Sequence, residues 1–510
     1  MDSRPTQPSV FERFVAGFTR LPGGELLSTF GPRRGIVESS WEQIQSQLCS
    51  SSSPLQWPSQ QRLRGPCRVD IRMSRSDGEL DTSPPELLVY EDASKDDLII
   101  GIALTLDATA PTPDSESDNF FAALITEGLH INSRDDESNQ VLQDRDDIID
   151  SIVEHFNTSL RYITKDDMWA RGGQDYFRAR ISHYVERGQK IEFCLPAFPC
   201  KSSHPGKVQG VSPDRGEYIA LTHLDDFIQG IERLYRPGAK LWVISDGHVF
   251  SDCIGVDDGV VDSYGEQLIA MSERIAMSRG GVDRIGFKSL LDLLKLERLE
   301  GTKLLESSIP PLQHHIATKM TDEAETCRRI LQRGFQVHPQ ELRRRIDSKE
   351  LGIIALYRGF SRFMLEDLAL NPYTSALSQS QRRKLSAKVA FEMIQRNQAY
   401  SNLVEVMFPY HVRLSIHAHN NAGPKFGIQL FGNQVRATNE LSPDGDLVKS
   451  HDQLHVPTPW HNCIVEIQGH STLYITKSSV AQGALAGGAF KGGWTPLCTG
   501  GGSFHLEPAL

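Results

Sequence analysis

Hydrophobic positions settle into a readable rhythm from about residue 144. Ile148, Ile149, Ile152, Val153 and Phe156 recur at helical spacing and predict a helix over residues 148–163. Residues 175–187 read as a second helix. Residues 190–195 form a short apolar run with Phe193 and Cys194, closed by Pro196, which reads as a buried strand. Residues 222–234 begin with Thr-x-x-Asp and set Leu224, Phe227, Ile228, Ile231 and Leu234 on one face, so a helix capped by Thr222 is expected. Residues 240–245 (KLWVIS) are a second buried strand, ending in Asp246-Gly247-His248. A helix over 266–277 follows.

Strand, long loop, helix, strand, loop, helix is the order of an α/β unit with a parallel sheet. In such folds ligands sit at the carboxyl ends of the strands. The loops Pro199-Cys200-Lys201 and Asp246-Gly247-His248 are therefore expected on one edge. Further on, residues 290–299, 321–333, 339–356 and 380–398 carry helical patterns. Residues 412–416, 426–430, 462–467 and 472–476 read as strands, and the Gly-rich tail from Gly483 reads as loop. The expected fold is α/β: a Rossmann-like parallel sheet core, a helical segment and a β-rich C-terminal unit. The expected units are residues 1–140, a partly ordered extension with strands at 86–90 and 98–106; 141–283, the first half of the core; 284–400, mainly helical; and 401–510, β-rich.

A length of 510 residues suits two or three structural units. The net charge of −11 argues against a general binder of nucleic acid or anionic membrane. Eight cysteines are scattered without a C-x-x-C pair, so reduced thiols and a cytoplasmic location are expected. No run of about 18 apolar residues is present, and the start Met-Asp-Ser-Arg does not read as a signal peptide.

Four clusters carry chemistry. In Pro196-Ala-Phe-Pro-Cys-Lys201-Ser-Ser-His204-Pro205, Lys201 follows a strand end, where an ammonium holds phosphate or forms an imine; a surface lysine on a turn is the plain alternative. Asp246 occupies a strand end, as catalytic carboxylates do, although an Asp there also caps turns. Arg358 can clamp a carboxylate, while Arg362 and Glu366 are spaced for a helix-face ion pair. On a strand of period two, Arg413, Ser415, His417 and His419 share one face, too polar for a core, with Lys425 close behind and Trp460-His461 further on. Nucleotide, nucleophile-elbow and zincin motifs are absent, which weakens ATP, NAD and simple hydrolase readings. His417, His419 and His461 leave open a metal-dependent oxygenase or cupin-like enzyme. His223-x-Asp225 is a weaker metal pattern, because residues two apart on a helix diverge.

The segments LPAFPCKSSHPGKVQGVSPDRGEYIAL, SDGHVFSDCIGVDDGVVDSYGEQL, YRGFSRFMLEDL, RLSIHAHNNAGPKFGIQLFG and TPWHN, in this order, resemble the pyoverdine/dityrosine-biosynthesis family. The resemblance spans about residues 145–480. It implies an isocyanide synthase that turns the amino group of an L-amino acid into an isonitrile, with ribulose 5-phosphate as carbon source and no cofactor or metal. As the alternative within the family it admits an N-formyl amino-acid product, as implied for a yeast relative in dityrosine formation. Downstream biosynthetic enzymes are the expected partners. A non-catalytic binding protein would bind amino acid without consuming the sugar phosphate. For the family chemistry, Lys201 is assigned to the phosphate or ketone, and Asp246, His417 and His461 to acid–base work. Arg358, Arg413, His204, Lys425 and Trp460 are assigned to substrate binding.

Overall fold

The structure, a computed structural model, describes residues 145–294, 311–335, 339–408, 411–417, 419–443, 457–496 and 501–509, with four strands nearer the amino terminus. Those four are β1 (Ile36–Ser40), β2 (Pro66–Arg72), β3 (Leu87–Asp92) and β4 (Ile99–Leu104). They pair in that order as an antiparallel meander. β3 and β4 fall on the expected strands; β1 and β2 lie where no pattern was legible.

The central element is an all-parallel five-stranded sheet. Its strands are β5 (Ile191–Pro196), β6 (Ala239–Ile244), β7 (Ile285–Lys288), β8 (Val412–Ser415) and β9 (Lys425–Gly427), in the order β7-β6-β5-β8-β9. Burial on both faces explains why β5 and β6 read as near-continuous apolar runs. Phe193, Leu195, Leu241, Val243, Val412, Leu414 and Phe426 enter one core. Helices α1 (Arg145–Ser159), α2 (Gly173–Val185) and α3 (Arg215–Leu234) supply Phe156, Phe177 and Phe227 to it. The Phe156 and Phe177 rings stack with centroids 4.3 Å apart. After β5 the chain builds β6 and β7 on one side, and returns at Val412 to add β8 on the other. Strand order therefore reverses between β5 and β8, where open α/β sheets bind ligands.

Helices α4 (Gly247–Ile254), α5 (Asp258–Ser278) and α6 (Leu290–Leu294) surround β6 and β7 in sequence. They are followed by α7 (Asp322–Phe335), α8 (Pro339–Asp347), α9 (Leu351–Leu370) and α10 (Gln379–Met407). The last turns of α10 cover the other sheet face, where the Tyr400 hydroxyl donates to the Ile244 carbonyl at 2.9 Å. A second sheet comprises β10 (Val435–Ala437), β11 (Cys463–Ile467), β12 (Leu473–Thr476), β13 (Phe490–Pro496) and β14 (Gly502–Pro508), in the order β10-β12-β11-β14-β13. Helix α11 (Ser478–Ala486) lies between β12 and β13.

Several expectations need correction. Helix α3 starts at Arg215, not near Thr222, because Asp214 and Glu217 form a capping box. Asp246-Gly247-His248 is the entry to α4 rather than an open loop. The helix expected over 339–356 breaks at Ser348-Lys349-Glu350, where Lys349 adopts φ 57°. The Gly-rich tail forms part of α11 and the β13–β14 hairpin, since Gly492 at φ 109° lies against the His505 carbonyl where no side chain fits. Expected strand β8 stops at Ser415, so period-two alternation does not extend to His417 and His419. Glu366 pairs with Lys477 and not with Arg362.

A buried ionic network fastens α4 and α5 to α7 and α10. Arg396 binds Asp252 through both guanidinium nitrogens, and Arg328 binds Asp258 at 3.0 Å. His314 bridges Asp252 at 2.7 Å and Glu325 at 3.1 Å. Arg328 also donates to the His248 carbonyl and to Ser251, each at 3.1 Å. Asp252 and both arginines are at most 2% exposed. Against burial, Arg396, His314 and Arg328 hold the Asp252 carboxyl well below the usual carboxylate range.

Candidate active site

Beside the crevice between β5 and β8, above the carboxyl ends of β5 and β6, the two expected loops do meet. A Cβ on Gly247 would lie 2.3 Å from the Pro199 carbonyl oxygen, so glycine lets the start of α4 press against the loop after β5. Phe198 in that loop has φ 58°, and its carbonyl accepts a hydrogen bond from Ser245 at 3.1 Å. This contact leaves Asp246 at the amino end of α4, where it makes no side-chain cap. Its Oδ1 is buried without a hydrogen-bond partner among the described residues. Burial raises the carboxyl to about 6, a value suited to a base near neutral pH.

The β8 side of the crevice is cationic. Arg413 and Lys425 are register partners on β8 and β9. Both donate to Ser401 Oγ of α10, at 3.0 and 2.7 Å. The Tyr400 phenol, next along α10, is raised by burial and by the nearby Asp246 carboxylate, with Arg413 opposing. Asp246 and Arg413 thus act on one hydroxyl. Past the strand, the His417 and His419 rings lie 6.5 Å apart, and His419 Nε2 is hydrogen-bonded to Ser415 Oγ at 3.0 Å. Burial, then His417, Lys425 and Arg413, lower His419 to about 4, so it is neutral at pH 7. Arg413, Lys425, His417 and His419 therefore form one group beside β8, and Tyr400 links its Arg413 to Asp246.

Lys201 is placed differently. Its ammonium is 1% exposed and contacts Asp214 at 2.7 Å, Glu217 at 2.8 Å and the Pro459 carbonyl at 2.8 Å. All three protons are matched, and no donor remains for a phosphate. Against burial, the two carboxylates raise its pKa, which opposes the free amine an imine requires. Its partners are the N-cap and N3 residues of α3, so Lys201 ties the loop to that helix. Lys201→Met is expected to cost about 3–5 kcal/mol in denaturant unfolding, by stranding two buried carboxylates.

His461, Trp460 and His204 form a second group against the same loop. Trp460 is buried, packs on Phe198 with centroids 5.0 Å apart, and accepts a backbone hydrogen bond from Ser202. His461 Nδ1 and Thr458 Oγ1 are hydrogen-bonded at 3.2 Å, and its ring meets Phe363 edge-on. Burial, then Lys207, Lys201 and Lys477, drive His461 well below its ordinary value, so the imidazole stays neutral. His204 Nδ1 accepts from the Gly206 amide at 3.0 Å. Cys200 lies between the two groups. Burial and the carboxylates of Asp246 and Asp367 push its thiol up to about 12, which makes it inert at neutral pH. Arg358 is exposed on α9.

The three-histidine metal arrangement is not assembled. His461 belongs to the turn Pro459–His461, apart from His417 and His419, and no group of three metal-binding side chains occurs among the described residues. Asp225 of the weaker pattern is held by Arg279 at 3.0 Å. Sequence reasoning missed Tyr400, Lys207 and Asp367. Lys207 stands in the quoted loop motif and Asp367 in the Glu366-Asp367 pair, but nothing local links them.

Among the described residues no helix is long and apolar enough to cross a membrane. The model of the pyoverdine/dityrosine biosynthesis protein family matches residues 181–487. The spore wall maturation protein DIT1 of Saccharomyces cerevisiae is 42% identical over 346 residues, which are 67% of this chain and 64% of that protein. The match thus spans a little under two thirds of the yeast protein. An L-tyrosine isonitrile synthase of Xenorhabdus nematophila is 33% identical over 58% of this chain and 73% of its own length. The crystal structure of the PvcA protein from Pseudomonas aeruginosa superposes with a TM-score of 0.54 at 27% identity, covering 70% of this chain and 99% of that one. The α/β fold is that of PvcA, the relatives include isonitrile synthases, and the chain belongs to the pyoverdine/dityrosine biosynthesis family.

Proposed function

We propose that the chain is an isonitrile synthase, joining the amino group of an L-amino acid to a carbon drawn from ribulose 5-phosphate. The observation that carries the reading is the crevice itself, where the Asp246 carboxyl, its Oδ1 buried without a hydrogen-bond partner among the described residues, and the Arg413 guanidinium both act on the Tyr400 hydroxyl. Condensing an amine with a ketone, then enolising and cleaving the sugar, needs a base close to neutral pH. Asp246 is assigned that role. Arg413 and Lys425 are assigned to the phosphate or the α-carboxylate, with Ser401 fixing their direction. His417 is assigned a proton-shuttle role at the rim. Lys201 is now assigned to holding the loop, and Trp460 to supporting it through Phe198.

A second reading has its own support, the 42% identity to the yeast spore wall maturation protein. An N-formyl amine is an isonitrile plus one water, so the same site serves both products, and water access decides between them. Purified protein is incubated with ribulose 5-phosphate and a panel of L-amino acids. Tetrazine trapping reports isonitrile, and mass spectrometry reports the N-formyl compound. We expect a tetrazine adduct and loss of both substrates. An N-formyl product alone transfers the assignment to the second reading, and consumption of neither substrate removes both.

A further inference from the structure

Lys207 has no part in the roles above, yet it is 2% exposed. It differs from Lys201 in its surroundings. Its ammonium lies 2.6 Å from Asp367 Oδ1, 3.9 Å from Glu366 and 4.1 Å from the centre of the Phe363 ring. Among the described residues, Asp367 is the single carboxylate within hydrogen-bond distance, against three acceptors around Lys201. A buried ammonium with one such partner retains hydrogen-bonding capacity for a ligand.

The backbone beneath Lys207 is fixed from both sides. Its amide donates to the His204 carbonyl at 2.9 Å, and its carbonyl accepts from the Ser478 amide, the first residue of α11, at 3.0 Å. The neighbouring Gly206 carbonyl accepts from Ser479 at 2.9 Å. Phe363 joins the group, with Lys207 over its face and the His461 ring at its edge, centroids 5.1 Å apart. With Thr458 on Nδ1, the free nitrogen of His461 is Nε2. A neutral imidazole beside an ammonium polarises a carbonyl without taking the proton the reaction must move. The Cys200 thiol lies between this group and Asp246, because both Asp246 and Asp367 act on it.

We infer that Lys207 and His461 form the carbonyl-oxygen site of the enzyme, with Asp367 and Phe363 as positioning residues. The inference rests on a ketose phosphate being the substrate. As the substrate amine attacks the ketone, a C–N bond forms and the C=O π pair moves onto oxygen. That oxygen receives hydrogen bonds from the Lys207 ammonium and from His461 Nε2–H. The proton released from nitrogen goes to the Asp246 carboxylate and the Lys207 ammonium gives one to the oxygen, so a neutral carbinolamine forms. Asp246 then passes its proton to the hydroxyl, which leaves as water while the nitrogen lone pair closes the C=N bond, and the remaining iminium proton returns to Lys207. No oxidant or reductant is involved.

The test uses the full chain and ribulose 5-phosphate labelled with 13C at the carbonyl carbon. Bound to the wild type, the carbonyl resonance should move downfield, as a polarised carbonyl does. In Lys207→Met most of that shift should vanish, while the dissociation constant changes less than about tenfold and kcat/KM falls by roughly 10²–10³, the loss typical of one oxyanion donor. Lys207→Arg should recover part of the shift. Because Lys207→Met strands a buried carboxylate, Lys207→Met/Asp367→Asn is measured beside it as the charge-balanced variant. An undiminished downfield shift in the folded double variant overturns the inference and leaves the proposed function standing. No binding of ribulose 5-phosphate by the wild type overturns the proposed function, and the inference with it.

Discussion

Asp246→Asn is expected to lower kcat by about 10²–10⁴-fold, the usual contribution of a positioned base, with little change in substrate affinity. The substitution preserves shape, and it removes only the ability to accept a proton. In the wild type, the rate should fall tenfold per pH unit below about 6, since the carboxylate must be ionised. The variant should show no such limb. The same substitution should raise stability. Burial lifts the folded-state value from 3.8 to about 6, so ionised Asp246 opposes folding. The penalty is absent below the unfolded value, grows as pH rises from there to about 6, and is constant above. At pH 7 it is on the order of 2–3 kcal/mol, from 1.36 kcal/mol per pH unit. A variant that is inactive yet melts several degrees higher separates a base from a structural carboxylate. Retained turnover, or a lower melting temperature, would remove Asp246 from its assigned role.

The second large effect is expected at Arg396. Arg396→Met leaves the Asp252 carboxylate buried with only His314 and the more distant Arg328, 3.9 Å away, to compensate. Breaking one partner out of a buried pair costs about 3–5 kcal/mol. For a folded unit of this size that is a fall of roughly 4–7 °C in melting temperature. Activity should fall as well, because Tyr400 stands one turn further along α10 and anchors it to β6. The wild-type network is also pH-dependent. Hydrogen bonds that its ring donates to Asp252 and Glu325 raise His314 to about 9. A raised histidine stabilises fully below its unfolded value of 6.5, and that contribution is lost as pH rises through 9. Asp252 acts oppositely, its contribution being lost as pH falls below 3.8. Melting temperature in the wild type should therefore decline between pH 6.5 and 9, and the decline should flatten in His314→Gln. Equal slopes in the two proteins would remove His314 from the network's energetics.

The parallel sheet was legible because β5 and β6 are buried on both faces and announce themselves as apolar runs between turn residues. The sheet edge on which Asp246 stands followed from their direction alone. Lys201 was misread for a tertiary reason. Its partners Asp214 and Glu217 lie on the next helix, whose first turns contain Gly216 and so resemble a loop. That glycine is required, since a Cβ there would lie 2.9 Å from Pro459. The signal that could have corrected the reading, Asp-x-x-Glu in DRGE, was present and is a capping box. His417 and His419 misled because alternation is informative only while the strand lasts, and β8 ends at Ser415. Lys207, Asp367 and His461 come from three distant segments, and no periodicity connects them.

The late arrival of β8 has a consequence for biosynthesis. Phe193 of β5 pairs with Val412, 219 residues later in the chain. At about 5–20 residues per second, translation needs roughly 10–45 s to cover that interval. Throughout it, a largely apolar central strand presents one unpaired edge, the kind of template on which chains aggregate. Yield on expression should therefore depend on slow translation, low temperature or a holding chaperone more than on the stability of the finished fold. The reversal that creates the crevice is also the step at which the nascent chain is most vulnerable.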